Sequence, residues 1–391
     1  MMNHDATPTG HGLPLARRRS LVLALAGSAA LAALPAGAQP AAGKGDILIG
    51  RSTALTGGMA PFLAPLHEGQ EAAIADANAK GGIGGRKIRL VSLDDGFDPR
   101  RTLENAKQLN EKDGVLALLG VSGTSQVMTL LPYLAQAKLP LIGVYTGSPA
   151  IRAQQHPYLF TTRASYADEL VKIVRNLVAV QSSRIGVVYE NNDFGKLLLP
   201  LVEKTIAAEG ASLAGTHALA AAGEDASEAA KALAAQRPQA VLLIAAGPPV
   251  VAYVRAHRAH LGVPVYTLSL GAGTAMLKAL GEDARGLAVA RTGPSPSKPT
   301  IQLTRDFQAS MKHHDKPVDY DRYTGYMDAR VLIEGLRAAG PGVTRASLVQ
   351  GMESLGNLDL GGYAYQFSPQ NHHGSNYVDI AVVGSGGVFR Q

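Results

Sequence analysis

Two serines in the stretch LGVSGTSQVM, Ser122 and Ser125, follow an apolar run and precede a segment of helical period, where a nucleophile can stand. A nucleophile elbow reads G-x-S-x-G. Here Gly120-Val121-Ser122-Gly123-Thr124 carries its second glycine one place early, with threonine where that glycine belongs. A serine hydrolase also needs a histidine and an acid converging on the hydroxyl, and no histidine falls at a strand end near this segment. Covalent catalysis is therefore not expected, and the chain does not read as an enzyme. The same residues suit another chemistry. Hydroxyls and free backbone N–H groups at a helix N-terminus bind an anion without any basic side chain. GTSQ and the later TGS lie at neighbouring strand ends, so both can face one carboxylate. The competing reading is that Thr124 and Ser125 only cap their own helix and Ser148 its own.

Other constellations carry less. DDGFD (Asp94, Asp95, Asp98) invites calcium, but the twelfth position from Asp94 is Asn105 where that loop needs glutamate. Asp98 also reads as the N-cap of the helix that starts at Pro99. The pairs His313-His314 and His372-His373 sit in polar segments, and His257 and His260 share a helix face without a third ligand, so solvated histidines are expected. GGIGGRKI runs from helix to strand and fails the phosphate-loop pattern. GAGTAM has Met276 where a dinucleotide fingerprint wants glycine or alanine. No metal and no cofactor are expected.

These residues hang on a regular scaffold. The chain has 391 residues, 46% hydrophobic and 17% charged, which is ordered globular material enough for two domains. It has no cysteine, which excludes thiol catalysis, thiolate metal sites and disulfides, and also a lipid anchor at a signal-cleavage cysteine. The net charge is +6, with no basic block interleaved with aromatics, so nucleic acid is not expected as a partner. Arg17–Arg19, an apolar run of about 14 residues and Ala36-Gly37-Ala38 read as a signal peptide over residues 1–38. That run is shorter than the roughly 20 residues of a spanning helix. Arg18-Arg19-Ser20-Leu21-Val22 also fits a twin-arginine signal. A soluble protein exported to the periplasm is expected.

From ILIGRST onward, short apolar strands alternate with amphipathic helices through VPVYTLSL, in two successive series that break near residue 164. This predicts α/β architecture with parallel sheets covered on both faces. RTGPSPSKP is a connector, followed by helical patterns over residues 301–314, 321–340 and 345–356 and a hairpin of YAYQF with NYVDIAVVG across SPQNHHGS. Ligands of open parallel sheets bind beyond the carboxyl ends of the strands. The segments STALTGG, DDGFD, GVSGTSQ, VYTGS, YENNDFG, AAGPP and TLSLGAG all fall there. A cleft between two lobes is the implied site.

Several stretches resemble the type I periplasmic binding proteins, in particular the Leu/Ile/Val-binding family of ABC transporters. They are ILIGRSTALTGGMA, HEGQEAAIADANAKGGIGGRKIRLVSLDDGFDPRRTLENAKQL, VLALLGVSGTSQ, LPLIGVYTGS, RIGVVYENNDFG and YTGYMDARVLIEGL. The resemblance implies two Rossmann-like lobes joined by three hinge strands: 46–163 with 293–355, and 164–292 with 356–391. It implies a monomer that traps a small molecule between its lobes and delivers it to a membrane ABC permease. Hinge closure around a ligand is a motion that periplasmic binding proteins themselves exemplify. Residue by residue it implies that Thr124, Ser125 and Tyr145, Thr146 and Gly147 hold a ligand carboxylate. Phe62, Phe194 and Tyr323 (or Tyr320) become apolar walls, with Tyr166 and Ser269 as further polar contacts. One departure stands out. The loop that supplies an acid for a ligand ammonium in this family reads TLSLGAG here, with Leu270 in place, and Ala246-Gly247 replaces a family tyrosine. Asp193 or Asp168 can substitute; otherwise the cargo is an organic or aromatic acid or an amide without an amino group. A ligand sensor for a receptor would share the same binding physics.

Overall fold

Residues 45–390 are described by a computed structural model. The predicted leader, with its export and cleavage signals, lies outside the described residues. Among those residues no helix is long and apolar enough to cross a membrane.

The first series gives β1 (Ile47–Thr53), α1 (Ala60–Ala79), β2 (Ile88–Asp94), α2 (Pro99–Glu111), β3 (Ala117–Leu119), α3 (Thr124–Ala137), β4 (Leu141–Ile142), α4 (Pro149–Arg152) and β5 (Leu159–Phe160). Its five strands are all parallel, in the order β2-β1-β3-β4-β5. The second series gives α5 (Tyr166–Ala179), β6 (Arg184–Glu190), α6 (Asp193–Ala208), β7 (Ser212–Leu219), α7 (Ala226–Ala235), β8 (Ala240–Ile244), α8 (Pro248–His260), β9 (Val265–Thr267), α9 (Thr274–Leu280) and β10 (Ala288–Arg291). Its parallel strands run β7-β6-β8-β9-β10, the same winding. In this order the chain reverses direction across the sheet between β1 and β3, and between β6 and β8. Such switch points open a crevice at the carboxyl ends of the strands. Central strands read as unbroken apolar runs because helices cover both faces; β3 and β8 are buried throughout.

The chain then returns to the first lobe as α10 (Gln302–His313), α11 (Tyr320–Ala339) and α12 (Arg345–Glu353). α11 packs on α1 with backbones nearly touching. A Cβ at Gly69 would lie 1.9 Å from the Arg322 carbonyl oxygen, and one at Gly325 would lie 1.9 Å from that of Leu66. Glycine at both places is what lets the two helices meet.

The C-terminal part differs from the sequence expectation. YAYQF pairs with GNLD, not with the later strand: β11 (Gly356–Asp359) and β12 (Ala364–Phe367) form a separate antiparallel hairpin. Asp359 closes its turn by accepting the N–H groups of Gly361 and Gly362, both in left-handed conformation. Tyr363, Tyr365 and Phe367 belong to the core of the first lobe, so residues 356–367 sit with that lobe and not with the second. Only β13 (Asp379–Val383) and β14 (Phe389–Arg390) join the second sheet, antiparallel to β10 and to each other in turn. SPQNHHGS therefore ends in a crossing between lobes.

Three crossings lie side by side, near residues 161–165, 292–296 and 373–378. Thr161 N–H donates to the His372 carbonyl at 2.9 Å and Gly374 N–H to that of Thr161 at 2.8 Å. Tyr363 Oη donates to the Thr292 carbonyl at 3.1 Å and shares a hydrogen bond with Ser375 Oγ at 2.8 Å. Arg152 donates to the carbonyls of Arg163 and Ser375. Three of the histidines expected to be solvated, His257, His372 and His373, are structural instead, whereas His260 and His313 are exposed. His372 stacks on Phe160 at 4.0 Å and meets Glu353, His373 bonds Thr161 Oγ1, and buried His257 bonds the Val263 carbonyl at 2.8 Å. Among the described residues no group of three candidate ligands could hold a metal.

Asp328 of α11 fastens the first crossing by accepting from Thr162 Oγ1 at 2.5 Å. Burial drives its carboxyl up to about 7, against the Thr162 bond and the Arg163 charge. A raised acid stabilises the fold fully below its unfolded pKa and loses that contribution as pH rises through the folded value. Stability should fall between about pH 4 and 8, and Asp328→Asn, which keeps the Thr162 bond, should flatten that slope in urea unfolding series. Gly69→Ala should cost about 1–3 kcal/mol by overpacking α1 against α11, read from the same unfolding curves.

Candidate binding site

A cavity of about 330 Å³ opens between the lobes at the carboxyl ends of both sheets. Its first-lobe wall comes from the start of α1 (Met59, Phe62, Leu63), the turn after β2 (Phe97, Pro99), the start of α3 (Ser122 to Gln126), Tyr145 and Asp321. The second-lobe wall holds Tyr166, Glu190, Asn192 to Phe194, Ala246, Gly247, Leu270, Gly273 and Met276.

The α3 start is built to leave donors free. Its N-cap is Gly123, at φ +97°, and no side chain caps it. The first N–H groups of any helix lack intrahelical acceptors, so those of Thr124, Ser125 and Gln126 are left toward the cavity they line. The capping alternative does not hold for Thr124: its hydroxyl bonds Thr146 Oγ1 at 2.9 Å. That φ calls for glycine at 123, and a Cβ there would also lie 2.1 Å from Gln126 Oε1 and 3.0 Å from the Phe97 ring. Gln126 in turn donates to the Phe97 carbonyl at 2.7 Å, which ties α3 to the turn after β2.

Thr124, Ser125, Tyr145, Phe62, Phe194 and Tyr166 are brought together around this cavity. Thr146 and Gly147 stand behind its wall. Thr146 is buried and accepts from Tyr166 Oη at 3.4 Å, while the Gly147 carbonyl accepts the Tyr166 N–H at 2.7 Å. They hold Thr124 and Tyr166 in place. Ser269 and Tyr323 do not line the cavity. Ser269 is committed to Glu169, through Oγ at 2.8 Å and N–H at 2.7 Å, and accepts from Arg163. Tyr323 is fully buried in the first-lobe core, stacked 4.5 Å from Phe307 with its hydroxyl on Thr304. Of α11, it is Asp321 that reaches the cavity.

Phe97, Glu190 and Asp321 are among the lining residues that sequence reasoning missed, as are the apolar Met59, Leu63 and Met276. Phe97 sits at φ +65° at the tip of DDGFD, its N–H on Asp95 Oδ1 at 2.9 Å. The acids of that motif hold loops: Asp94 accepts from Leu55, Thr56 and Gly96, and Asp95 from Ser52 and Thr102. Asp168 serves as half of the Ser165 capping box, away from the cavity wall. Leu270 lines the cavity, as an apolar residue in the loop where the family resemblance implies an acid.

Charge around the cavity has one sign. Glu190, Asp193 and Asp321 line it, and among the described residues no lysine, arginine or histidine does. Burial pushes the Glu190 carboxyl above the ordinary range, opposed by the Ala246 N–H. Burial likewise raises the hydroxyls of Tyr145, helped by Asp321, and of Tyr166, so both stay neutral donors.

This fold and cleft define a two-lobed binding protein, and comparison with known proteins agrees. The periplasmic binding protein family profile matches residues 46–387, and the chain belongs to that family. Its members are substrate-binding proteins and not enzymes. Among solved structures, a possible leucine/isoleucine/valine-binding protein from Rhodopirellula baltica SH 1 is 26% identical with TM-score 0.82, over 89% of this chain and 96% of that one. A substrate-binding periplasmic protein from Ralstonia solanacearum is 30% identical with TM-score 0.80, over 88% and 99%. The Leu/Ile/Val-binding protein of Escherichia coli (strain K12) is 25% identical over 40% of this chain and 43% of its own length. The Leu/Ile/Val-binding protein homolog 2 of Brucella abortus (strain 2308) is 43% identical over 19% and 20%. The matched segments thus span less than half of these curated relatives.

Gly123→Ala should disturb the α3 start and Phe97 together. It is expected to cost about 1–3 kcal/mol of stability, the scale of a residue forced into a sparse backbone region, and to weaken ligand binding in the same preparation, both read by thermal melts.

Proposed function

We propose that this protein is an exported, periplasmic solute-binding protein that captures a small carboxylate-bearing ligand and hands it to the permease of an ABC importer. The observation that carries the reading is the uncapped start of α3, whose free N–H groups and Thr124 hydroxyl line a cavity with otherwise largely apolar walls. A carboxylate there accepts from backbone donors already aimed at it, at the positive end of a helix. Met59, Phe62, Leu63, Phe97, Phe194, Leu270 and Met276 then surround the rest of the molecule. Burying an aliphatic or aromatic side chain among them is worth about 1.5–3 kcal/mol. Branched-chain amino acids lead the list of candidates, since relatives carry the name Leu/Ile/Val-binding protein. The work of the protein is binding and release, through movement of the lobes about the three crossings.

A thermal-shift screen of protein unfolded and refolded to strip carried-over ligand tests this, with amino acids, aromatic and aliphatic acids, and amides. A ligand at 100 times its Kd should add about 2.7 kcal/mol of stability. Thr124→Ala should weaken binding of the best acid by about 1.5–3 kcal/mol, as for a hydrogen bond to a charged group. A carboxylate whose affinity ignores that substitution would remove Thr124 from the anion site, and no response to any acid would sink the reading.

A further inference from the structure

We propose that the cargo carries a protonated nitrogen as well as its carboxylate, and that Glu190 is the residue that recognises it. The inference rests on the carboxylate reading above. A cavity lined by three carboxylates and no basic side chain is a poor host for a simple organic anion, because each added like charge in a partly dry site is repelled. A cargo with its own cation reverses that sign.

The three acids are not equivalent. Asp321 is already satisfied: one oxygen accepts the Thr274 N–H at 2.6 Å, the other the Tyr145 hydroxyl at 3.4 Å, and the Arg291 charge acts on it from behind the wall. Asp193 is exposed and lies in the first turn of α6, where the helix itself favours a negative charge. Glu190 ends β6 and is 8% exposed. Among the described residues the one hydrogen bond to its carboxylate is from the Ala246 N–H to Oε2 at 3.3 Å. Oε1 has no partner among the described residues, and no cation among them forms an ion pair with the group. A buried carboxylate so poorly paired is costly, and the cavity is where its missing partner can come from. Phe194, Leu270 and Met276 line the same lobe's wall without offering a competing donor.

The placement also gives the zwitterion a mechanical role. The α3 donors belong to the first lobe and Glu190 to the second, so a molecule carrying both charges is gripped from both sides at once. The loop after β9, with Leu270, leaves this task to the end of β6.

The test is isothermal titration with matched probes: L-leucine against 4-methylpentanoate, L-phenylalanine against 3-phenylpropanoate, and 3-methylbutylamine and phenethylamine, which lack the carboxylate. Wild-type protein should bind at least one amino acid ten- to a hundredfold more tightly than its deaminated partner. Glu190→Gln should erase that preference by weakening the amino acid alone. The proposal is overturned if the deaminated acid binds wild-type protein as tightly as the amino acid, a comparison that stands even if the variant does not fold. Equal weakening of both partners by Glu190→Gln overturns it as well. Glu190-dependent binding of the amines without their acids would uphold the nitrogen site and overturn the carboxylate reading. Silence across all the probes would overturn both.

Discussion

Backbone N–H groups at a helix start must find acceptors from outside the helix, and α3 begins in a way that leaves them for a guest. Gly123 supplies a backbone angle that ordinary residues avoid and brings no capping side chain. Thr124 is then held by Thr146, Thr146 is met by Tyr166, and Tyr166 starts the first helix of the second lobe. The α3 end of the cavity is thus wired to both lobes through hydroxyls. Removing one member leaves its neighbours' polar groups to be satisfied elsewhere.

Much of this is legible in the sequence for a simple reason. Alternating apolar strands and amphipathic helices admit few architectures, and the rule that ligands sit at strand ends then picks out the same loops in both lobes. GVSGTSQ, VYTGS and YENNDFG all reach the cavity on that logic. The failures share a different cause. Tyr323 and Asp321 are two residues apart on one helix, and only the packing of α11 on α1 through Gly69 and Gly325 decides which of them meets the cleft. Phe97 is hidden because DDGFD draws attention to what its acids could bind, while its aspartates fold the turn that carries the ring. Glu190 reads in sequence as the end of a buried strand, and nothing local says that one of its oxygens is left without a partner. The C-terminal hairpin is easily mispaired because YAYQF has two possible strand partners; the D-x-G-G turn before it, satisfied by Asp359, favours the nearer.

The buried charges behind the cavity concentrate where the chain passes between lobes. Arg163, Glu169 and Arg291 are all buried, and Ser269 joins the first two. Tyr145 lies over Arg163, and Tyr320 over Arg291, at 4.7 and 4.3 Å. Groups of this kind add little net stability against an apolar packing of the same volume. They do impose strict partners on the segments that pass between the lobes.

The hydrogen bond from Thr274 to Asp321 joins the two lobes through protein atoms alone, and Phe62 of the first lobe packs on the core of the second. Part of the free energy that draws the lobes together therefore belongs to the protein and not to its cargo. Such a bias raises apparent affinity by enlarging the binding-competent fraction. It also narrows the free-energy difference between loaded and empty molecules that lobe position alone can report. A partner that read lobe position alone would then accept a share of empty molecules.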